Sequence, residues 1–557
     1  MSAEQMEHVD YGTLETVDGP GALGWSFDRR RFIAMLGAAG GSVALGTVAT
    51  RTAEASTALF QGVTVDPKVS DPVEYSVTEL ALLYKKGQLS PVEVVQAYID
   101  RIELYDADYY KAYNAFVPEL ALATAKELEK VPRRSRTALW GIPYAPKDNF
   151  YTKGILTTGN SDLFQAFVPG FDATYVARLG SAGAVLLGKT QMGPLAGGRP
   201  TTPNGIVTTR NAWSPDDSTL SPSGSSGGSG CAPKARLAAF CLGTQTGGSI
   251  LGPTGANGLT GLKPTLGRTS VYGVIPLSIT RDHTGPMGRN VKDIAITLAD
   301  SDGPDPEDPR TIGVPDGGDY VAAATPVKKH GAKVVLRWQT RIGVPPGWAD
   351  GDTPTALARQ SALTVLTELG AKLIELPTPA DVTRYASLNA TAGEGSDAFR
   401  DALHGDLKLF NGRLTGFVTG LMRGADHYIL GRRAQYLLSE AILEQMFDKV
   451  ETILSPPSFD PAGFPIIGFP IGYQPPNNIA VTAPIGVQLG GRPYDERRLF
   501  SIVAAFQAVT DFHLAQPPEP SAASQAAAAG SASRRPRTEI RITPEELHEI
   551  ELAGHEA

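Results

Sequence analysis

Residues 221–250 read SPSGSSGGSGCAPKARLAAFCLGTQTGGSI, which is two Gly/Ser-rich clusters flanking one apolar segment. Taken alone, the first cluster, residues 221–230, has the composition of a flexible linker. A second cluster, Thr244–Ser249, follows the apolar segment Leu237–Leu242, and linkers do not usually occur in pairs around one buried element. Glycine and serine also let backbone amides turn tightly around a reacting group. The pattern therefore predicts a buried strand between two loops in which the backbone turns tightly.

The second cluster has the composition of a site for a developing negative charge. In Thr246-Gly247-Gly248-Ser249 two glycines precede a serine, so successive N–H groups can converge with no Cβ in the way. We expect these four amides to form an oxyanion hole beside the Ser249 hydroxyl. Lys147 follows the apolar run 139–146 and is the candidate base, because desolvation favours its neutral amine. The alternative is a surface lysine that begins a turn.

Helix and strand patterns alternate along the chain and predict a packed α/β domain over residues 66–515. Ser90 and Glu93 give a capping-box signal for a helix with an apolar stripe. Residues 172–190 are typical of a helix, a tight turn and a short strand at Ala184–Leu187. A strand at Ile485–Leu489 and a helix from about residue 495 close the domain. Residues 302–430 mix helices with loops and contain no recognisable motif.

The two ends of the chain differ from this domain. Arg29 and Arg30 precede a Gly/Ala-rich, weakly hydrophobic run that ends in Ala53-Glu54-Ala55, so residues 1–55 are similar to a twin-arginine export signal. We expect export through that machinery to the cell envelope, the periplasm or the medium, with a mature form that is not embedded in the membrane. An uncleaved tether, a membrane anchor or a buried helix is the alternative.

The C-terminal residues 516–557 are dominated at first by Pro, Ser and Ala and cannot bury enough apolar surface to fold. We expect a disordered, low-complexity tail. Thr543 and Glu546 form a second capping-box signal, which allows a short helix near the end of the tail.

Charge and cysteine usage exclude several classes of function. The net charge of −8 and the lack of a long basic run argue against a nucleic-acid partner. Cys231 and Cys241 are too few for a disulfide framework and are expected to be reduced core residues. The eight histidines show no metal-ligand spacing. We expect neither a metal nor a cofactor.

Several segments together resemble the amidase signature family of serine hydrolases, in the order of that family and over roughly residues 66–515. The matching segments are GIPYAPKDNF, DATYVARLGSAGAVLLGKT, SGSSGGSG, LGTQTGGSI, GLKPTLGRTSVYGVIP, GPMGR and PIGVQLGGRPYDERRL. The resemblance implies an α/β fold with a large mixed central sheet and helices on both faces. It also implies a Ser-Ser-Lys triad made of Ser249, Ser225 and Lys147, with an unusual cis peptide at Ser225.

The resemblance further implies a mechanism. Neutral Lys147 takes a proton through Ser225 while Ser249 attacks an amide carbonyl, an acyl-enzyme forms, and water completes the hydrolysis. One departure stands out, since Gln245 and Leu251 replace the Asp and Arg of the usual T-D-T-G-G-S-I-R pattern. An acidic and a basic residue have gone together, so an ion pair is expected to have been replaced as a unit. Contacts to substrate inferred from relatives with that pair do not carry over.

The expected activity is hydrolysis of linear carboxamides, short amidated peptides or N-acyl compounds, with esters as further substrates. Residues 302–430 and 463–476 are expected to build part of the acyl pocket. Two alternatives keep the fold: an amidotransferase A-subunit-like protein, and a secreted binding protein without turnover. A third, an α/β-hydrolase elbow on Ser226 with His513 as base, lacks the buried strand that an elbow requires before its serine.

Overall fold

A mixed β-sheet of ten strands is the central element in the part of the chain that the computed structural model describes. That part is residues 59–521 without 62, 67–68, 133–135, 201–208, 330–332, 389–390 and 475–481. The strands are β1 Tyr113–Phe116, β2 Pro143–Pro146, β3 Val185–Leu186, β4 Gly188–Thr190, β5 Phe240–Gln245, β6 Thr260–Lys263, β7 His283–Gly288, β8 Val327–Lys329, β9 Lys333–Val335, β10 Arg341–Val344, β11 Lys372–Glu375, β12 Thr452–Leu454, β13 Ile466–Gln474 and β14 Ala483–Gly491.

The α-helices surround and connect these strands. They are α1 Val77–Lys86, α2 Pro91–Tyr105, α3 Pro118–Glu129, α4 Thr174–Ser181, α5 Gly227–Lys234, α6 Leu251–Asn257, α7 Val291–Ser301, α8 Tyr320–Ala323, α9 Pro354–Glu368, α10 Ala380–Ala386, α11 Thr391–Ala398, α12 Arg400–Leu403, α13 Leu414–Leu421, α14 Ala425–Gln445, α15 Phe459–Ala462 and α16 Glu496–Gln507.

The large sheet has the strand order β11-β10-β12-β14-β13-β6-β7-β5-β2-β3. Both ends of the sheet are parallel, with β10 beside β11 and β12, and β2 beside β3 and β5. The centre, from β12 to β5, is antiparallel. Strands β2, β5, β6 and β7 are buried along their whole length, so both faces of the sheet are covered. The predicted fold class is confirmed.

Two neighbouring strands place the candidate site. β2 and β5 run parallel, with Pro146 opposite Leu242. Their carboxyl ends therefore lie at the same edge of the sheet, which is where open α/β sheets bind ligands. Lys147 follows β2 directly, and the turn 246–250 follows β5 and leads into α6. Two loops far apart in sequence meet here because their strands are adjacent.

Local sequence signals explain several elements. The capping box predicted at Ser90 is formed, and the predicted stripe Val95, Tyr98, Ile99 and Ile102 of α2 is buried. The predicted strand at Ala184–Leu187 is shorter, because Gly188, with φ of +153°, diverts the chain into β4, which pairs with β1 in a separate ribbon. The last strand and helix form as predicted but extend over Ala483–Gly491 and Glu496–Gln507.

The strand predicted at Leu237–Leu242 starts later, at Phe240, and continues to Gln245. Cys231 and Cys241 are buried free thiols, and burial raises the pKa of both. No helix among the described residues is long and apolar enough to span a membrane.

The export signal predicted at residues 1–55 and the capping box at Thr543 lie outside the described residues. The first residues of the predicted tail do pack on the domain: Gln516 donates to Glu74, and Glu519 forms an ion pair with Arg101 at 2.6 Å. These two residues, which the sequence assigns to the tail, therefore contact the domain.

Candidate active site

Lys147 is the centre of the candidate site and is fully buried. Its Nζ lies 2.7 Å from the Ser225 Oγ, 2.8 Å from the Thr244 Oγ1 and 3.4 Å from the Thr244 carbonyl oxygen. Burial lowers the pKa of Lys147 to about 7, and the charge of Asp282 opposes that shift. The amine is thus poised to exchange a proton near neutral pH, with a serine hydroxyl in direct contact.

Ser225 lies between a cis peptide and a helix. The Gly224–Ser225 bond is cis, as the family resemblance implies, and α5 begins two residues later with Ser226 as its N-cap. Gly224 is required here, because an added Cβ would lie 2.0 Å from the carbonyl oxygen of Gly198. Ser225 itself is 1% exposed, and its carbonyl accepts a hydrogen bond from Gly193. The close packing of Gly224 and the hydrogen bond to the Ser225 carbonyl therefore hold the backbone on both sides of this side chain.

Ser249 lies in the turn between β5 and α6 and is 9% exposed. Its carbonyl accepts a hydrogen bond of 3.3 Å from the Ser226 amide, which holds the turn against the Ser225 loop. None of the hydrogen bonds found among the described residues ends on the Ser249 hydroxyl. The structure thus joins Lys147 and Ser225 through their side chains, and it joins the Ser249 segment to the same loop through the backbone.

The four amides predicted to hold an oxyanion are not equivalent. The Gly248 N–H donates to the Asp460 Oδ2 at 3.0 Å, so it is already occupied. The amides of Thr246, Gly247 and Ser249 make no hydrogen bond within the described part of the chain. Gly248 has φ of +79°, a conformation that favours glycine. The observed geometry leaves three of the four predicted donors available.

Comparisons with known proteins show the family of this chain. A family model described as Amidase matches residues 93–419, more than half of the chain. The chain belongs to the amidase signature family. The A-type subunit of the glutamyl-tRNA(Gln) amidotransferase of Acinetobacter baumannii (strain AYE) is 31% identical over 510 residues, which cover 80% of this chain and 98% of that protein. The corresponding protein of Chloroflexus aggregans is 33% identical, covering 77% of this chain and 95% of that protein.

Among solved structures, the peptide amidase of Stenotrophomonas maltophilia is similar with a TM-score of 0.67 and 28% identity. The match covers 80% of this chain and 98% of that chain. The prediction of an amidase-family enzyme is confirmed.

The departure from the amidase signature pattern now has a structural explanation. Leu251 is 3% exposed and packs in an apolar cluster with Val382, Leu438 and Phe464. Gln245 is 1% exposed, and its side chain links the turn 246–250 to Asp460. An apolar residue in an apolar cluster and a neutral amide with satisfied hydrogen bonds both avoid an unpaired buried charge.

Sequence reasoning missed several residues of the site. Thr244 accepts hydrogen bonds from Lys147 and from the Asn149 Nδ2. Asp282 accepts from the Thr246 Oγ1 at 2.5 Å and is the carboxylate that acts on the pKa of Lys147. Thr244 begins the second Gly/Ser cluster, and Asn149 follows Lys147 by two residues. Their closeness in sequence to the predicted triad could have identified both as candidate site residues. Nothing local marks Asp282 or Asp460.

Two further observations concern the pocket around the site. The sequence predicts that residues 463–476 help to line the acyl pocket, but most of residues 463–474 are buried core, because β13 lies between β14 and β6. A cavity of ≈310 Å³ is lined by residues that include Arg281, Ser458, Asp460 and Gln488, together with Ile466 from the predicted segment.

The structure does not support a hydrolase elbow. The Ser226 Oγ donates to the Thr244 carbonyl, and no contact among the described residues joins Ser226 to His513. Residues 209–226 contain no strand. Within the described ranges no group of three or more His, Cys, Asp or Glu side chains could hold a metal ion.

Proposed function

We propose that this protein hydrolyses linear carboxamides through an acyl-enzyme on Ser249, with Ser225 and Lys147 as the proton relay. The observation that carries the proposal is the 2.7 Å contact between the Lys147 Nζ and the Ser225 Oγ in a fully buried site. The pKa of this amine is about 7, and no carboxylate among the described residues is in hydrogen-bonding contact with it, so it can act as a base.

Each step moves one proton or one bond. The Ser249 Oγ attacks the amide carbonyl carbon, and its proton passes through the Ser225 Oγ to the Lys147 Nζ. The oxyanion is held by the free amides among Thr246, Gly247 and Ser249. The C–N bond then breaks as the proton returns through Ser225 to the leaving nitrogen. Water attacks the acyl-enzyme by the same relay and releases the acid.

The substrate class follows from the similarity to a peptide amidase and from the mechanism. We expect primary amides, short amidated peptides and N-acyl compounds to react, and esters as well, because acyl transfer to Ser249 does not require an amine leaving group. The test is a panel of primary amides, anilides, amidated peptides and esters with the wild type and Ser249→Ala side by side. Turnover that survives in Ser249→Ala would overturn the proposal.

A fluorophosphonate probe separates this enzyme from a binding protein of the same fold. Rapid labelling of Ser249 in the folded wild type, which Lys147→Ala slows, supports the acyl-enzyme mechanism. Folded protein that leaves Ser249 unlabelled and turns over no member of the panel is the result expected of a silent binding protein.

The second candidate is an amidotransferase A-subunit-like protein, which the curated relatives favour. It predicts hydrolysis of glutamine by the purified chain or transfer of ammonia that requires added partner proteins and charged tRNA. Turnover of the amide panel by the purified chain alone, with no stimulation by those additions, favours the hydrolase.

We also propose export through the twin-arginine route, on the sequence of residues 1–55. Fractionation of cells that express the full chain tests this, with Arg29→Lys/Arg30→Lys as the matched variant. The proposal expects enzyme outside the cytoplasm for the wild type and retention for the variant. An equal cytoplasmic location for both would contradict it.

A further inference from the structure

We propose that Gln245 and Asp460 form a positioning pair that holds the turn carrying Ser249 and fixes which backbone amides are free for the oxyanion. The inference rests on the proposed role of Ser249 as nucleophile. Neither residue of the pair is assigned a contact with the reacting atoms, so both act through the backbone of the turn. The pair links two segments that lie 215 residues apart in sequence.

The hydrogen bonds of the pair bracket Ser249. The Gln245 Oε1 accepts from the Ile250 amide at 2.8 Å and from the Leu251 amide at 3.0 Å. The Gln245 Nε2 donates to the Asp460 Oδ1 at 2.6 Å. The Asp460 Oδ2 accepts from the Gly248 amide at 3.0 Å. The amides immediately before and after Ser249 are therefore both bound by this pair of side chains.

Asp460 is itself held from behind. It lies in the short helix α15, next to Phe459, which is 1% exposed. The Phe459 ring packs against Phe447 and Phe464 at centroid distances of 5.7 Å and 5.3 Å. The Gln435 Nε2 of α14 donates to the Pro461 carbonyl at 2.6 Å. An aromatic cluster and a long helix thus fix the carboxylate against the turn.

Donor and acceptor chemistry determines the residue types. The two amides at 250 and 251 are donors, so the oxygen of the residue 245 side chain must face them, and the amine end of Gln245 must then face an acceptor. Asp460 is that acceptor, and its second oxygen takes the Gly248 N–H. Glutamate at 245 would place two carboxylates in contact. Glutamate at 245 with asparagine at 460 restores every donor to an acceptor, because the Asn Nδ2 can donate to Glu and its Oδ1 can accept from Gly248.

Exchanging the donor and acceptor groups at residues 245 and 460 tests the proposal. Four variants of the full chain are compared with the wild type: Gln245→Glu, Asp460→Asn, the double variant, and the control Asp381→Asn. The control makes the same Asp→Asn change at a similar bond outside the site, from the Gln445 Nε2 to the Asp381 Oδ2 at 3.1 Å between α14 and α10, where the asparagine oxygen can still accept. The measurements are kcat and KM on an amide that the panel identifies, the rate at which a fluorophosphonate labels Ser249, and the thermal midpoint.

We expect each single variant to lower kcat and the labelling rate about 10- to 100-fold with little change in KM, because a small displacement of the nucleophile is costly in rate. The double variant should recover most of that loss, whereas Asp381→Asn should keep the wild-type rates. A double variant no faster than the slower single variant, or single variants that match the control, would overturn the proposal.

Amide hydrogen exchange over residues 245–251 tests the pair without any turnover. Exchange at 248, 250 and 251 should speed up in both single variants and slow again in the double variant. If Ser249→Ala retains activity, the proposed function fails, yet this exchange pattern still decides whether the pair holds the turn. Exchange that is unchanged in both single variants contradicts the positioning role even for a fully active enzyme.

Discussion

Lys147 and Lys189 are two fully buried lysines in neighbouring parts of the fold, and they differ in what surrounds the amine. The Lys147 Nζ contacts the hydroxyls of Ser225 and Thr244 at 2.7 Å and 2.8 Å. The Lys189 Nζ contacts the Phe150 carbonyl and the Thr157 hydroxyl at 2.6 Å and 2.7 Å, and the Asp148 carboxylate lies 3.5 Å away. Of these two amines, Lys189 is the one for which the described residues supply a carboxylate as a direct partner.

The difference bears on the proposed role of Lys147 as the base. Burial lowers the pKa of both amines, to about 7 for Lys147 and about 8 for Lys189, and Asp148 opposes the shift at Lys189. A carboxylate in contact favours the charged amine. A hydroxyl can either accept a hydrogen bond from the ammonium or donate one to the neutral amine. Sequence composition gives no sign of this, because each lysine follows a short apolar run.

Replacing Lys147 should have the largest effect on activity. We expect Lys147→Met to lower kcat/KM on an amide by about 10³-fold or more, because the relay loses its base. Stability should change by about 1 kcal/mol or less, since the partners Ser225 and Thr244 are hydroxyls that can reorient. Amide turnover and urea denaturation measure the two effects. Activity near that of the wild type in a folded variant would remove Lys147 from the mechanism.

Replacing Lys189 should have the opposite pattern. Lys189→Met leaves the Asp148 carboxylate buried without its cation, and breaking a buried pair in this way costs about 3–5 kcal/mol. We therefore expect a large fall in the free energy of unfolding, measured by urea denaturation alongside Lys147→Met. Equal losses of stability in the two variants would show that the two environments do not differ as the contacts indicate.

Parts of the molecule that depend on neighbours in sequence could be predicted. The Ser90 cap of α2, the position of Lys147 after an apolar run, and the paired Gly/Ser clusters follow from local patterns. The strands β10 and β11 were missed within residues 302–430, since each has only four residues and lies at or near the sheet edge. Such strands carry little apolar periodicity.

Contacts made across long sequence distances could not be predicted. Asp460 lies beyond the matched family segment 93–419, and its role depends on a helix packed by Phe459. The sequence showed that Gln245 departs from the family pattern but not which residue it contacts. The sequence also counts the Gly248 amide among the oxyanion donors. It could not show that this amide donates to Asp460, because Asp460 comes from that distant helix.

The pH dependence of activity should report the titration of Lys147. The relay requires the neutral amine of Lys147, whose pKa is about 7. We expect kcat/KM to rise with pH, to be half-maximal near pH 7, and to fall about tenfold for each pH unit below that. The measurement is kcat/KM on a neutral amide from pH 5 to 9, with circular dichroism to confirm folding throughout. Activity that declines as the pH rises from 6 to 8 would contradict a lysine base.

A more modest change is expected from Asp282, a carboxylate that acts on Lys147 from a distance. Asp282 accepts hydrogen bonds from the Thr246 hydroxyl and from the amides of Leu277 and Ser278. Asparagine can keep all three contacts, because its oxygen can face the two amides and its Nδ2 can donate to the hydroxyl. Asp282→Asn is therefore close to a pure change of charge.

Removing this negative charge destabilises the ammonium form of Lys147 and lowers the pKa of the amine further. The neutral base then persists to lower pH, so the midpoint of the kcat/KM profile should move to lower pH while the plateau above pH 8 changes less than about tenfold. The profile of the variant beside that of the wild type measures the shift. A midpoint that stays in place or moves upward would mean that Lys147 is not the group whose titration limits the rate.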